Sequence, residues 1–319
     1  NKQIKPRPLG IAIPLKWSKQ EIESDRDIST ELLRDWLTAP QQAWLTEQKI
    51  KAKEWNDSLD NEDKYELGEI ERYQLVKTRL EGVTDLIQVN TIKEVGCKFN
   101  YWEKETEGKG IIPYKSAGKL EIELLEKRWK TLLKQITSIG PFKKKSLKIE
   151  EDYKEFKWAG EFHISIEVGK LKNKGIMQAW IKHLLICANG IPNKGTIIIS
   201  RTSKDNYEQS LRWQVIDCKD AKKILNDLKK LASHGLIECW PVPPESGWIF
   251  AKAQKQKVDK AAESFQKSWD GDYYSEGESQ KDEMKLCFGT NCEASYFLDS
   301  LDFHKAITLL YEPILNNLL

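Results

Sequence analysis

The 319-residue chain is 31% charged and 39% hydrophobic, and 51 basic against 49 acidic residues leave a net charge of +2. That balance excludes a histone-like blanket of positive charge while leaving room for a local basic patch, and no apolar run approaches the length of a membrane span, so no membrane partner is expected. Beginning without Met or a signal-peptide pattern, the chain reads as a piece of a longer soluble, cytoplasmic protein, with length enough for one large domain or two packed parts.

Residues 1–17, with Pro6, Pro8 and Pro14, read as an extended lead-in. A helix is expected from about Thr30, with Ser29 as its cap and Leu32, Leu33, Trp36 and Leu37 on its apolar face. Pro40 interrupts it, and Ala43, Trp44 and Leu45 resume the pattern. Residues 54–66 form an acidic loop, a helix opens near Leu67 and runs to about Glu81, and a third helical zone covers 84–104. The helix at 119–139 is clearer, with Leu120, Leu124, Leu125, Trp129, Leu132, Leu133 and Ile136 on one face. Gly140-Pro141 then breaks the chain, and a basic strand is expected from about Ser146.

The stretch 154–190 carries the strongest pattern. Phe156, Trp158, Phe162, Ile164, Ile166 and Val168 fall on even positions, and Lys157, Glu161, His163, Ser165 and Glu167 on odd ones. Period-2 alternation predicts strand with one buried face, and its length predicts a hairpin turning near Ser165. Met177, Trp180, Ile181, Leu184, Leu185 and Ala188 then recur at helical steps, ended by Asn189-Gly190. The strand TIIISR follows at 196–201.

Strand, strand, helix, strand is the order in which many metal-dependent DNA nucleases keep their chemistry. They place an Asp on one strand and an acid and a Lys two residues apart on the next, so that both reach one metal. The position before the expected turn is His163, and Glu167 and Lys170 are three apart, so they face opposite ways. His163, Gly169 and Leu171 thus read as degenerate positions of such a site, with no catalytic residue and no metal ligand. Asp152-Tyr153-Lys154 is a literal acid-x-Lys, read here as a polar turn; an active nuclease using Asp152 and Lys154, with Glu161 as a further candidate, is the alternative. Lys170, Lys172 and Lys174 are the candidate DNA contacts, against the plainer reading of a solvated basic turn.

Further on, residues 202–209 read as a turn and 211–216 as a strand. A helix follows at 219–234, its outer face carrying Lys222, Lys223, Lys229 and Lys230 and its end set by Gly235. Pro241-Val242-Pro243-Pro244 reads as a rigid connector, 249–269 as a helix, 270–282 as a mobile stretch, and the end as an amphipathic helix with Leu301, Ile307, Leu310, Tyr311, Ile314 and Leu315 inward. The six cysteines (Cys97, Cys187, Cys218, Cys239, Cys287 and Cys292) form no CxxC. Cys287 and Cys292 with His304 fit no common zinc spacing, so reduced thiols are expected. The scattered histidines suggest no nucleophilic constellation, and no Walker loop or GxGxxG occurs, so no cofactor is expected. Of the 12 tryptophans, Trp36, Trp44, Trp129, Trp158 and Trp180 are core by position, and the remainder are candidates for an interface.

LLRDWLTAPQQAWL, LGEIERYQL, WIKHLLICANG, PPESGWIFAKAQ and SFQKSWDG, in this order, resemble the C-terminal domain of the gamma subunit of bacterial exodeoxyribonuclease V, the RecC subunit of the RecBCD helicase-nuclease. The resemblance spans roughly residues 28–315. It implies an α/β fold in which a PD-(D/E)XK-type nuclease core with a degenerate active site is preceded by and packed with a helical region. The expected division is a mainly helical 1–140 and a nuclease-like core with C-terminal helices at 141–319. The resemblance also implies RecB-like and RecD-like partner subunits, DNA as a ligand, and a wedge that splits the duplex, which the residues do not assign to any loop.

Overall fold

A computed structural model of the chain describes residues 10–11, 27–50, 66–82, 104, 106, 108–149, 152–256, 259–273 and 275–319. The acidic loop up to residue 65, most of the 84–104 zone, Cys97 and nearly all of the lead-in lie outside them. Contacts divide the chain into two units, one of Asp57–Leu171, Leu185–Cys218 and Leu319, the other of Asn1–Asn56, Lys172–Leu184 and Lys219–Leu318. No helix among the described residues is long and apolar enough to cross a membrane.

The first unit is built on a five-stranded sheet, β1 (Phe142–Ile149), β2 (Asp152–Ala159), β3 (Phe162–Glu167), β4 (Thr196–Arg201) and β5 (Tyr207–Trp213), lying side by side in chain order. β3 and β4 are parallel; the other neighbours are antiparallel. Helices α3 (Glu69–Glu81) and α4 (Ser116–Ile139) cover one face. Leu75, Val76 and Leu80 of α3, and Ile122, Leu125, Trp129, Leu132, Leu133 and Ile136 of α4, share a core with Phe142, Ala159, Ile164, Ile197 and Ile199. Leu120, expected inward, is instead 67% exposed at the start of α4.

The hairpin is present, but it turns at Gly160-Glu161 rather than near Ser165. Gly160, at φ 58°, supplies the left-handed residue a two-residue turn needs. Trp158 pairs with His163 and Ala159 with Phe162, so partners add to an odd number and parity flips across the turn. The even positions therefore do not share one face. Phe156, Trp158 and His163 line one side; Ala159, Phe162 and Ile164 line the other. Both sides are substantially buried, as is TIIISR on both of its faces, the pattern of a strand inside a sheet. Two strands begin earlier than expected. β1 starts at Phe142, since Phe142 is itself core, and β5 starts at Tyr207, whose buried phenol anchors it.

The second unit is helical: α1 (Thr30–Thr38), α2 (Pro40–Glu47), most of α5 (Asn173–Ala188), α6 (Cys218–Ile237), α7 (Pro244–Lys255), α8 (Ala261–Asp270), α9 (Asp282–Phe288), α10 (Ser295–Leu298) and α11 (Leu301–Asn316). The Ser29 hydroxyl accepts the Leu32 N–H at 3.2 Å, the expected cap. Gln41 is fully buried and donates to the carbonyls of Trp240 (2.8 Å) and Val242 (3.0 Å), pinning the proline-rich connector. The Trp44 indole donates to Ile237 C=O at 3.0 Å, satisfying one of the open carbonyls at the end of α6.

Gly235 does not end α6; it lies inside it, where a Cβ would stand 2.3 Å from the Trp36 ring. The expected helix at 249–269 is two helices, and Pro244 opens the first rather than ending a connector. The stretch 270–282 carries a short hairpin (β6, Gly271–Asp272; β7, Ser275–Glu276), a 3₁₀ turn at Glu278–Gln280 and the start of α9. Phe250, Phe265, Trp269, Phe288, Phe297 and Phe303 tie α7 to α11 through edge-to-face pairs such as Trp269–Phe297 at 4.9 Å. Every described tryptophan is buried, so the interface tryptophans anticipated above are not found among these residues.

Candidate functional site

A parallel strand pair directs its carboxyl ends to one edge of the sheet, the edge where open α/β sheets bind ligands. Here those ends are Glu167 of β3 and Arg201 of β4. Just past them the Arg201 N–H donates to Gly169 C=O at 3.0 Å, and the Tyr207 hydroxyl donates to Val168 C=O at 2.8 Å. Burial pushes the Tyr207 phenol up to about 12, so it keeps the proton it donates.

Tyr73 of α3 packs onto this end, with ring carbons 3.5 and 3.7 Å from where a Cβ on Gly169 would stand. Burial, and next the negative charge of Glu167, push the Tyr73 phenol upward. Glu167 also accepts the Gly169 N–H at 3.3 Å. The carboxylate at the end of β3 is therefore already engaged by its own chain.

A lattice of charges fixes α3 in this position. Arg72 grips Glu121 with two bonds, Nε to Oε2 at 2.9 Å and a terminal nitrogen to Oε1 at 2.6 Å, and both side chains are nearly buried. The hydrogen bond to Arg72 holds the Glu121 carboxyl below the usual range, and the bond to Glu121 raises the Arg72 guanidinium in turn. Glu69 accepts from Arg128 at 2.8 and 3.3 Å and from Arg72 at 3.0 Å, and is ion-paired with Arg201 at 2.7 Å. Burial opposes its charge, but Arg128, Arg72 and Arg201 together hold its carboxyl down at about 2. Because this side chain is half exposed, solvent screens much of that effect. Asp205, after β4, pairs with Lys127 at 2.9 Å, and Arg128 Nε approaches it only to 4.0 Å. Charged residues on the buried face of α4 were the available signal: Glu121 and Arg128 sit in the phase of Ile122, Leu125, Trp129 and Leu132.

The sequence-derived positions fall apart in space. His163 follows the turn, is 1% exposed, and bonds Thr196 Oγ1 through Nδ1 at 3.0 Å, a core histidine set edge-on to Phe156 and Trp158. Gly169 and Leu171 lie in the loop after β3, not on a strand, because β3 ends at Glu167. Lys170, Lys172 and Lys174 are each exposed, and Lys174 belongs to the first turn of α5. Asp152 and Lys154 stand on β2 rather than in a turn, since Asp152 continues the ladder opposite Ile149. Glu161 is in the turn beyond the far end of that strand, which runs about 23 Å in steps of ~3.3 Å per residue, and is ion-paired with Lys194. Asp152 and Glu161 do not converge. Among the described residues, no group of three His, Cys, Asp or Glu side chains is placed to hold a metal ion.

In the helical unit, Pro-Glu-Ser-Gly at the start of α7 forms a second polar junction. The buried Glu278 carboxylate accepts the N–H groups of Glu245 (3.1 Å) and Ser246 (2.7 Å), acting as a cap lent from the 3₁₀ turn. Glu245 in turn accepts the Asn173 N–H at 2.9 Å, at the start of α5. Burial pushes the Glu245 carboxyl up, and the nearby Glu278 charge adds to that. The buried Tyr311 hydroxyl donates to Pro244 C=O at 3.0 Å. A groove of about 280 Å³ between α7 and α11 is lined by Ala251, Lys255, Ile307, Tyr311 and Leu315 among others.

Compared with known families, residues 25–255 match the family model described as the RecC C-terminal domain. The match runs from just before α1 to the end of α7, leaving the aromatic-rich α8–α11 outside it. No curated protein sequence matches the chain.

Proposed function

The chain belongs to the RecC C-terminal domain family, and on that premise we propose that it is a non-catalytic scaffold and DNA-guiding part of a RecBCD-type exodeoxyribonuclease V. On this reading it works in the cytoplasm in recombinational repair of double-strand breaks, bound to RecB-like and RecD-like helicase and nuclease subunits. The observation that carries the reading is the engaged state of Glu167. The order α4, β1, β2, β3, α5, β4 supports a nuclease-type core of the PD-(D/E)XK kind. In such a core an acid and a Lys two residues on would share a metal at the end of β3. Here that window reads Glu167-Val168-Gly169, so Gly stands where Lys is needed, and the acid accepts the Gly169 N–H, with its charge felt by the Tyr73 phenol. The competing reading, a metal-dependent nuclease through Asp152 and Lys154, loses Glu161 as a third group to the far end of β2.

A scaffold at a DNA fork needs no ATP of its own. Translocating partners pull the duplex, and the rigid body blocks re-pairing, at a few kcal/mol per unstacked step that a motor supplies. Partner subunits would cover apolar side chains now left open, such as Ile70 (77% exposed), Tyr114 (84%) and Leu120 (67%). Basic side chains would hold the phosphates, and Lys170, Lys172 and Lys174 are the candidates. Neutralising all three to Gln is expected to slow unwinding by the assembled complex and to reduce the salt dependence of DNA binding by about one in slope per lysine. Unwinding rate and salt slope both unchanged would remove these lysines from the DNA path.

A further inference from the structure

Three guanidinium groups meet one carboxylate at the ends of β3 and β4, and the three are not equally satisfied. Arg72 is already paired, bidentate, with Glu121. Arg128 and Arg201 lean on Glu69; Asp205 reaches Arg128 only at 4.0 Å. The Nε atoms of both arginines, and Asp205 Oδ1, are buried and have no hydrogen-bond partner. The arrangement is also layered. The Arg128 and Arg201 side chains are 3% and 13% exposed, whereas Glu69 is 49% exposed. The anion is the solvent-facing member, and it sits on the first residue of α3.

Guanidinium forks bind phosphate by the same paired N–H···O bonds they give to carboxylate. A phosphate group brings more oxygens than a carboxylate, enough to use donors that Glu69 leaves idle. The geometry points to a phosphate receptor formed by Arg128 and Arg201, in which Glu69 is a built-in carboxylate that holds the place until a phosphate arrives. The phosphate can come from the backbone of a nucleic-acid strand or from free inorganic phosphate. The first source rests on the DNA-guiding reading above; the second stands without it.

Glu69→Gln keeps the side-chain shape and removes the competing charge. In equilibrium binding of a labelled oligo-dT at low salt, the whole chain carrying Glu69→Gln is expected to bind about tenfold tighter than the parent, on the scale of one like-charge contact removed. Adding Arg201→Gln should return the affinity to the parent value. Inorganic phosphate, against chloride at matched ionic strength, should compete with the oligonucleotide. Thermal unfolding provides a second readout should Glu69→Gln lower stability: phosphate should raise its midpoint and leave Glu69→Gln/Arg201→Gln unmoved. If phosphate raises the midpoint while oligonucleotide affinity stays at the parent value, the receptor takes free phosphate and not a nucleic-acid strand. If neither ligand distinguishes Glu69→Gln from the parent, Glu69 is a structural ion-pair partner only and no receptor exists. Oligonucleotide binding that depends on Lys170, Lys172 and Lys174 instead would leave the DNA-guiding reading standing without it.

Discussion

Replacing Arg72 by Ala is expected to cost about 3–5 kcal/mol of stability, the range for breaking a buried ion pair by removing one partner. The side chains of Arg72 and Glu121 are 11% and 8% exposed, and the pair is bidentate. Without the guanidinium, Glu121 keeps only the Leu67 N–H at 3.3 Å, and Glu69 loses one of its three cations. Denaturant unfolding of the single variant measures the loss. Arg72→Met together with Glu121→Leu is expected to recover most of it, because two apolar groups of similar volume remove the buried charge altogether. A loss under about 1 kcal/mol in the single variant would mean that solvent reaches the pair freely. The pH dependence has a defined sign. Glu69 and Glu121 have folded-state values below the ordinary 4.5, so their contribution is present above that value. It is lost as pH falls toward their folded values, about 2 for Glu69. Arg72→Ala should therefore flatten the acid limb of the stability curve below pH 4.5.

Gly235→Ala is expected to destabilise the helical unit by about 1–3 kcal/mol, the range for overpacking a filled core. The sign is the informative part, since the same change inside an ordinary helix stabilises by about 1 kcal/mol. Here the new Cβ would stand 2.3 Å from Trp36 Cζ2 and 2.4 Å from Cε2 and Nε1. The ring has little room to move, being fully buried and set edge-on to Trp240 at 5.4 Å. A raised thermal midpoint would show that α1 and α6 can part at little cost.

Periodicity made the elements legible, and it did so best where one face decides burial. TIIISR at 196–201, the Ser29 cap, the Pro40 break and the end of α5 at Asn189-Gly190 all stand where the residues indicated. The hairpin was legible but its turn was not. An even-length turn flips parity, so one run of even-numbered apolar residues concealed two buried faces. Gly235 looked like a terminator because a glycine after a helical run usually is one; only the distance to Trp36, almost 200 residues earlier in the chain, shows that it serves close packing. The lattice of Glu69, Arg72, Glu121, Arg128 and Arg201 was hidden for a related reason. Its members come from α3, α4 and β4, and what unites them is tertiary placement, not spacing. The stretches that carry the family likeness turn out to hold such long-range contacts. Gln41 pins the proline connector, Tyr73 packs against Gly169, and the Pro-Glu-Ser-Gly turn is capped by Glu278.

The claim that most needs a direct measurement is that this chain guides DNA without cutting it. Purified protein should be incubated with end-labelled linear single- and double-stranded DNA, with Mg²⁺ or Mn²⁺ and an EDTA control. An engaged Glu167 and a Gly in place of the paired Lys predict intact DNA at high protein concentration in every lane. Metal-dependent cleavage that disappears with Asp152→Ala would contradict the account and make Asp152 and Lys154 on β2 a working site.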